Sequence, residues 1–274
     1  ELQIMVSAPS VESAFKAAAD SIPHGFNLIA GRLFLDEFTV VPCMEQPFDS
    51  ISVVRETPLG DLPVSLWIWA SAPSQASGLL VWSANLVSDK ESVFDQTNDI
   101  LCKYQQFLTS QGMNITDNCV RTWFFVDDID YKYADFVRAR RDFFDSVGLR
   151  SDTNYIASTG IFGIPGNRPA TGGDVMLDAL ALKYPKKCLI RYLHARSHLS
   201  PTSLYGVTFE RGTVVDYGDR SHIFISGTAS IATSDSFRTL CANFGPSPKA
   251  KLNPSPIASG IVKISLNNMA ASSL

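Results

Sequence analysis

Three short stretches of this sequence carry side chains able to grip a carboxylate or an oxyanion. Arg211, in "TFERGTVV", offers a fork of N–H donors suited to a bidentate carboxylate. The simpler reading is a surface arginine beside Glu210 and Asp216. Ser226, Gly227 and Thr228, in "ISGTAS", combine hydroxyls with backbone N–H groups near a glycine, an arrangement that suits an oxyanion or simply ends a strand in a turn. Ser158, Thr159 and Gly160, in "IASTGIFG", have the same two readings, with no basic neighbour in the chain.

Other chemistry-bearing patterns have simpler explanations. Asp127, Asp128 and Asp130 have the types for paired acid and base work, but a helix-capping turn accounts for them with less. His194 and His198 stand four apart, a metal-ligand spacing on a helix. No Glu, Asp or Cys stands beside them, and the Leu-Ser-Pro that follows marks a loop, so no metal is expected. The glycines of "GIFGIPGNRPATGG" lack the lysine and downstream helix of a phosphate-binding loop and read as a mobile loop. No G-x-S-x-G nucleophile elbow occurs.

The elements that must position these residues are clearest from residue 51 onward. "ISVVRE", "PVSLWIWASA" and "GLLVWSANL" are β-branched and aromatic runs punctuated by Pro and Gly, and predict two or three adjacent strands. Ser88 and Glu91 have capping-box spacing and predict a helix start. Val93, Thr97, Ile100, Leu101, Tyr104 and Phe107 then mark its apolar face, and Gly112 its stop. "NCVRTWFFV" predicts a strand, "DDID" a turn, and the following segment a helix to Gly148 with Tyr133, Phe136, Val137, Phe143, Phe144 and Val147 buried. Arg138, Arg140 and Arg141 of that helix are expected beside the stripe, pairing with acids of adjacent units or rimming a cleft. "YIASTGIFG" and "GDVMLDALAL" predict further strands, the latter alternating. Residues 1–50 are least legible: "VESAFKAAADSI" predicts a short helix and "NLIAGRLFLDEFTVV" one or two strands.

The strand, polar turn and strand of residues 64–86 recur over 207–231, which suggests tandem copies of one fold. The second copy does not continue, because the chain after Ala232 is rich in Ser and Pro with no long amphipathic helix. The reading is therefore an N-terminal extension (1–50), a first unit (51–185) and a partial second unit with an atypical tail (186–274).

Composition narrows the function. A chain of 274 residues, 45% hydrophobic and 18% charged, is globular, and a net charge of −4 gives no reason to expect binding to nucleic-acid phosphates. Five scattered cysteines without C-x-x-C spacing indicate neither a disulfide framework nor a zinc site, and a reducing cytoplasm is the simple reading. No apolar run approaches the roughly 20 residues of a membrane span, and no leader pattern opens the sequence.

At "VRTWFFVDDIDYKYADFVRARRDFFDSVGL", "YIASTGIFG" and "VMLDALAL" the sequence resembles the RidA/YjgF superfamily. With "GVTFERGTVV" and "IFISGTASI" opening a second unit, it looks like the tandem branch that includes the chorismatases. The resemblance spans roughly residues 60 to 231. It implies an α+β fold of tandem units, each a sheet with two helices on one face, related to a small trimeric chorismate mutase fold. It implies ligand clefts between units and a trimer or pseudo-trimeric assembly. It also implies a small unsaturated or imino carboxylate as the substrate to be hydrolysed or deaminated, without metal or organic cofactor. The alternative is a ligand-binding or regulatory protein that kept the fold and lost the acid/base. A ribonuclease or translation-inhibitor role, also attached to the superfamily, fits the acidic balance poorly.

Carried over by position, the resemblance places Ala157 near the arginine that grips the substrate carboxylate, Ser158 near the adjoining serine, and Asp178 at the nearest match to a glutamate. In the second unit it marks Tyr205, Phe209, Arg211, Ser226, Gly227 and Thr228 as substrate-binding, and it names no acid or base.

Overall fold

The computed structural model describes residues 1–41, 50–73, 77–185, 188–194 and 208–227. In chain order the elements are β1 (Leu2–Ala8), α1 (Val11–Ser21), β2 (Asn27–Leu35), β3 (Ile51–Arg55), β4 (Val64–Ser71), β5 (Leu80–Val87), α2 (Val93–Ser110), α3 (Ile115–Asn118), β6 (Cys119–Val126), α4 (Ile129–Val147), β7 (Ala157–Phe162), β8 (Ile164–Pro165), β9 (Val175–Leu182), β10 (Leu189–Leu193), β11 (Gly212–Asp216) and β12 (Ser221–Ile225). They form three sheets, ordered β1-β4-β2-β3-β8, β5-β9-β6-β7 and β10-β11-β12. The fold is mixed α+β, with few helices.

Each of the first two sheets has a helical outer layer. Ser10 caps α1 through a reciprocal pair with Ser13, and Val11, Ala14 and Ala18 then pack on Leu33, Leu66 and Ile68 of the first sheet. On the second sheet, α2 and α4 cover Phe124, Val126, Leu177 and Ala179 with Ile100, Leu101, Tyr104, Leu108, Phe136 and Phe144. The opposite faces of these two sheets meet the third in a shared core. Trp67 and Trp69 come from the first sheet, Trp82, Trp123, Leu180 and Leu182 from the second, and Ile190, Val215 and Phe224 from the third.

Several expectations change on this architecture. The strands expected to be adjacent after residue 51 are divided: β4 pairs with β1 and β2, whereas β5 pairs with β9. Residues 2–35 thus supply both neighbours of β4. The later segment of similar plan does form a hairpin, β11–β12. Helix α2 begins not at Ser88 but after Ser92, whose hydroxyl accepts the Asp95 N–H, while Ser88 Oγ donates to Asp99. Leu108 replaces Phe107 on its buried face, and Tyr133 of α4 is exposed. Strand β9 does not alternate; all eight residues are buried because helices cover one face and the shared core the other. The acidic turn gives α4 no side-chain cap: Asp128 lies in the left-handed region, and Asp127 pairs with Arg168 at 2.9 Å. Gly148, at φ 88°, ends that helix as expected.

Candidate functional site at the sheet junctions

The two small-residue stretches singled out in the sequence meet. The Ser158 N–H donates to Ser226 Oγ at 2.9 Å, and the Gly227 N–H donates to Thr159 Oγ1 at 2.8 Å. Ser226 Oγ in turn donates to the Glu210 carbonyl, and the Ser226 N–H donates to the Arg211 carbonyl at 2.9 Å. These bonds join β7, the second sheet's edge, to the residues before β11 and after β12. Ser158 and Ser226 are buried, Thr159 is half-buried, and Gly227 is exposed. The Arg211 side chain is buried, its guanidinium 5.6 Å from the Phe209 ring. Tyr205, Thr228 and His198 lie outside the described residues.

A cation that reaches Thr159 at this junction was not among the sequence candidates. Arg121, on β6, is paired in register with Ala157, where the resemblance implies an arginine. Arg121 Nη2 donates to Thr159 Oγ1 at 2.5 Å, and its Nη1 is buried with no hydrogen-bond partner among the described residues. The group lies 4.6 Å from the Trp123 ring and is 4% exposed. Burial, and then the charge of Arg32, push its pKa down. No carboxylate faces it among its described hydrogen bonds and ion pairs.

A second buried arginine shows the opposite arrangement. Arg32, on β2, donates Nε and Nη2 to Asp178 Oδ2 at 3.0 and 2.6 Å. Ser52 Oγ donates to the same oxygen at 2.7 Å, and the Asn85 N–H donates to Oδ1 at 3.1 Å. Asn85 reaches it because β5 bulges between Ser83 and Leu86, with Asn85 at φ 56°. The Asn85 amide then bridges to β3, accepting the Val53 N–H and donating to the Ile51 carbonyl. Trp67, Trp82, Trp123 and Phe125 surround the Arg32 guanidinium at 4.8 to 5.8 Å. Asp178, expected as a substrate-binding carboxylate, is fully buried and committed to Arg32, Ser52 and Asn85.

Arg140 of α4 completes the set from the helical side of β7. Its Nε donates to Thr208 Oγ1 at 3.2 Å and its Nη1 to Ser158 Oγ at 3.4 Å, and Ser158 Oγ also receives the Thr122 hydroxyl at 2.8 Å. Arg138 instead pairs with Asp135 of its own helix at 2.8 Å and is exposed. Within this cluster Arg140 is thus a buried strut and Arg138 half of a surface pair. Glu210 accepts the Tyr155 N–H at 3.0 Å and faces His194 Nδ1 at 3.0 Å. Among the described residues no cluster suits a metal ion. A cavity of about 430 Å³ is lined by Asn27, Pro73 and Trp82, the last also one of the rings around Arg32, and by no ionisable side chain among the described residues.

A sequence signal for Arg121 and Arg32 existed. Each is a lone charge inside an apolar strand, "CVRTWFFV" and "LIAGRLFL", and a buried charge is more informative than an exposed apolar residue.

No family model matches the chain, and no curated protein does. Among solved structures it is similar to members of the YjgF family. One, from Neisseria meningitidis, shares 16% identity over 41% of this chain and 82% of that one, with a TM-score of 0.30. Another, from the YjgF/YER057c/UK114 family of Mycobacterium tuberculosis, shares 20% identity over 38% and 78%, with a TM-score of 0.30. The yeast protein YEO7 shares 15% identity over 41% and 82%, again with a TM-score of 0.30. At such identities the likeness concerns fold alone. Among the described residues, no helix is long and apolar enough to cross a membrane.

Proposed function

We propose that this protein binds a small carboxylate at the junction of β6, β7 and the residues following β12, with Arg121 as the anchor. The observation that carries the reading is a buried guanidinium that, among the described residues, has one N–H edge unpartnered and no carboxylate opposite. A buried cation is costly unless an anion neutralises it, so the site is complementary to a ligand's negative charge. Thr159 Oγ1 fixes the other guanidinium nitrogen, and exposed Gly227 marks the side from which a ligand enters. The RidA/YjgF resemblance in the sequence supports the same ligand class.

Binding without turnover is the reading this geometry favours. Where an arginine and a carboxylate meet in the interior, at Arg32 and Asp178, each satisfies the other. The second reading, hydrolysis of an imino or unsaturated carboxylate, rests on Glu210 and His194. Their 3.0 Å pair is tied to the site through the Glu210 carbonyl, Ser226 and Ser158.

A proton NMR time course separates the two. The protein is incubated with chorismate in one tube and an enzymatically generated 2-imino acid in another. Line broadening of the carboxylate without product supports binding alone. Product formation that disappears in Glu210→Gln supports the enzyme, and neither broadening nor product would sink both readings.

A further inference from the structure

We infer that the Arg32–Asp178 pair acts as a charge filter for the Arg121 site, so that the site accepts a small monocarboxylate in preference to a dicarboxylate or a phosphate dianion. This rests on the reading of Arg121 as the anchor. The two guanidiniums sit against the same indole, Arg32 at 5.4 Å and Arg121 at 4.6 Å from the Trp123 ring. In sheet register Trp123 lies between Asp178 on β9 and Thr159 on β7. A ligand held by Arg121 and Thr159 therefore faces Asp178 across one tryptophan, at about two strand spacings, or roughly 10 Å.

The charges on this face decide the valence. Asp178 cancels Arg32 through two guanidinium hydrogen bonds and is fully buried, so salt does not screen it as it would a surface carboxylate. Arg211, buried at the same junction, lies against the Phe209 ring, so among the described residues the guanidinium that reaches Thr159 is that of Arg121. Arg140 is no second anchor, because it reaches Ser158 and Thr208 from the helical side of β7. One ligand carboxylate is neutralised at Arg121. A second negative charge would enter the same interior beside a pair already neutral, and would stay desolvated and unpaired.

The filter also explains why Asp178 is so heavily bonded. Ser52 and the bulged Asn85 hold its carboxylate toward Arg32, so its charge is localised at one place and cannot swing toward a ligand as a competing acceptor. Asp178 is in this sense a specificity-determining residue that touches no ligand.

The test is a calorimetric titration with propionate, succinate and inorganic phosphate at pH 7. Wild-type protein should bind propionate at least about tenfold more tightly than succinate or phosphate, a gap of one unpaired charge. Asp178→Asn, which leaves Arg32 uncancelled, should narrow or invert that ratio. The double variant Arg32→Gln/Asp178→Asn removes both charges and should restore it. Should Asp178→Asn fail to fold, the wild-type ratio decides. Equal wild-type affinity for propionate and succinate overturns the filter while leaving Arg121 as the anchor. Absence of binding by all three probes overturns the anchor and the filter together.

Discussion

Two buried arginines, Arg32 and Arg121, share one tryptophan and differ in what faces them. At the junction of the first two sheets, Arg32 meets a carboxylate that also holds Ser52 and the Asn85 N–H. At the junction of the second and third, Arg121 meets a threonine hydroxyl and leaves Nη1 without a partner among the described residues. The first arrangement closes on itself and ties sheets together. The second, among the described residues, has no internal anion, and on the proposed reading a ligand carboxylate supplies it. On the proposed reading, what distinguishes the two is the internal carboxylate opposite Arg32 and the nitrogen of Arg121 that no described group meets.

The largest expected effect comes from breaking the closed pair. Asp178→Ala leaves Arg32 buried and uncompensated and should lower unfolding stability by roughly 3–5 kcal/mol in urea titrations. A loss under about 1 kcal/mol would mean that Arg32 escapes to water and that the first junction is not closed.

Alkaline pH challenges the second junction from within. Burial pushes the Cys119 thiol, at the start of the strand carrying Arg121, up to about 12. A folded value above the unfolded one contributes stability that is intact below about pH 9 and is lost as pH rises toward 12. The slope should be about 1.4 kcal/mol per pH unit for this one group. Cys119→Ala should flatten stability against pH over that window, and an unchanged curve would show the thiol to be hydrated.

Thr159→Val sharpens the comparison on a smaller scale. It removes the acceptor of both Arg121 Nη2 and the Gly227 N–H and should cost about 1–3 kcal/mol while weakening carboxylate binding. Smallest is Arg138→Ala, which deletes an exposed pair with Asp135 and should change stability by less than about 0.5 kcal/mol. A larger loss would return the surface cluster to the account.

Periodicity made the helices of the second sheet legible, because α2 and α4 bury stripes at spacings of three and four and contact the strands next to them in the chain. The sheet partition was not legible. β4 pairs with β1 some sixty residues earlier, and nothing local in "SLWIWAS" selects that partner over the next strand. At the site, Ser158, Thr159, Ser226 and Gly227 were marked from their types and do meet. The bonds of Asp178 to Arg32, Ser52 and Asn85 were not legible, since these partners lie far from it in sequence and only the assembled sheets bring them together.

The most direct test of the central claim is titration of propionate into wild-type protein and Arg121→Met, read by calorimetry alongside thermal unfolding of both. Saturable binding in the wild type, weakened at least about tenfold in the variant, is the expected result. Stability should remain within about 1 kcal/mol, because methionine removes an unpaired buried charge rather than half of a pair. Equal binding by both proteins, or destabilisation on the scale expected for Asp178→Ala, would contradict the account.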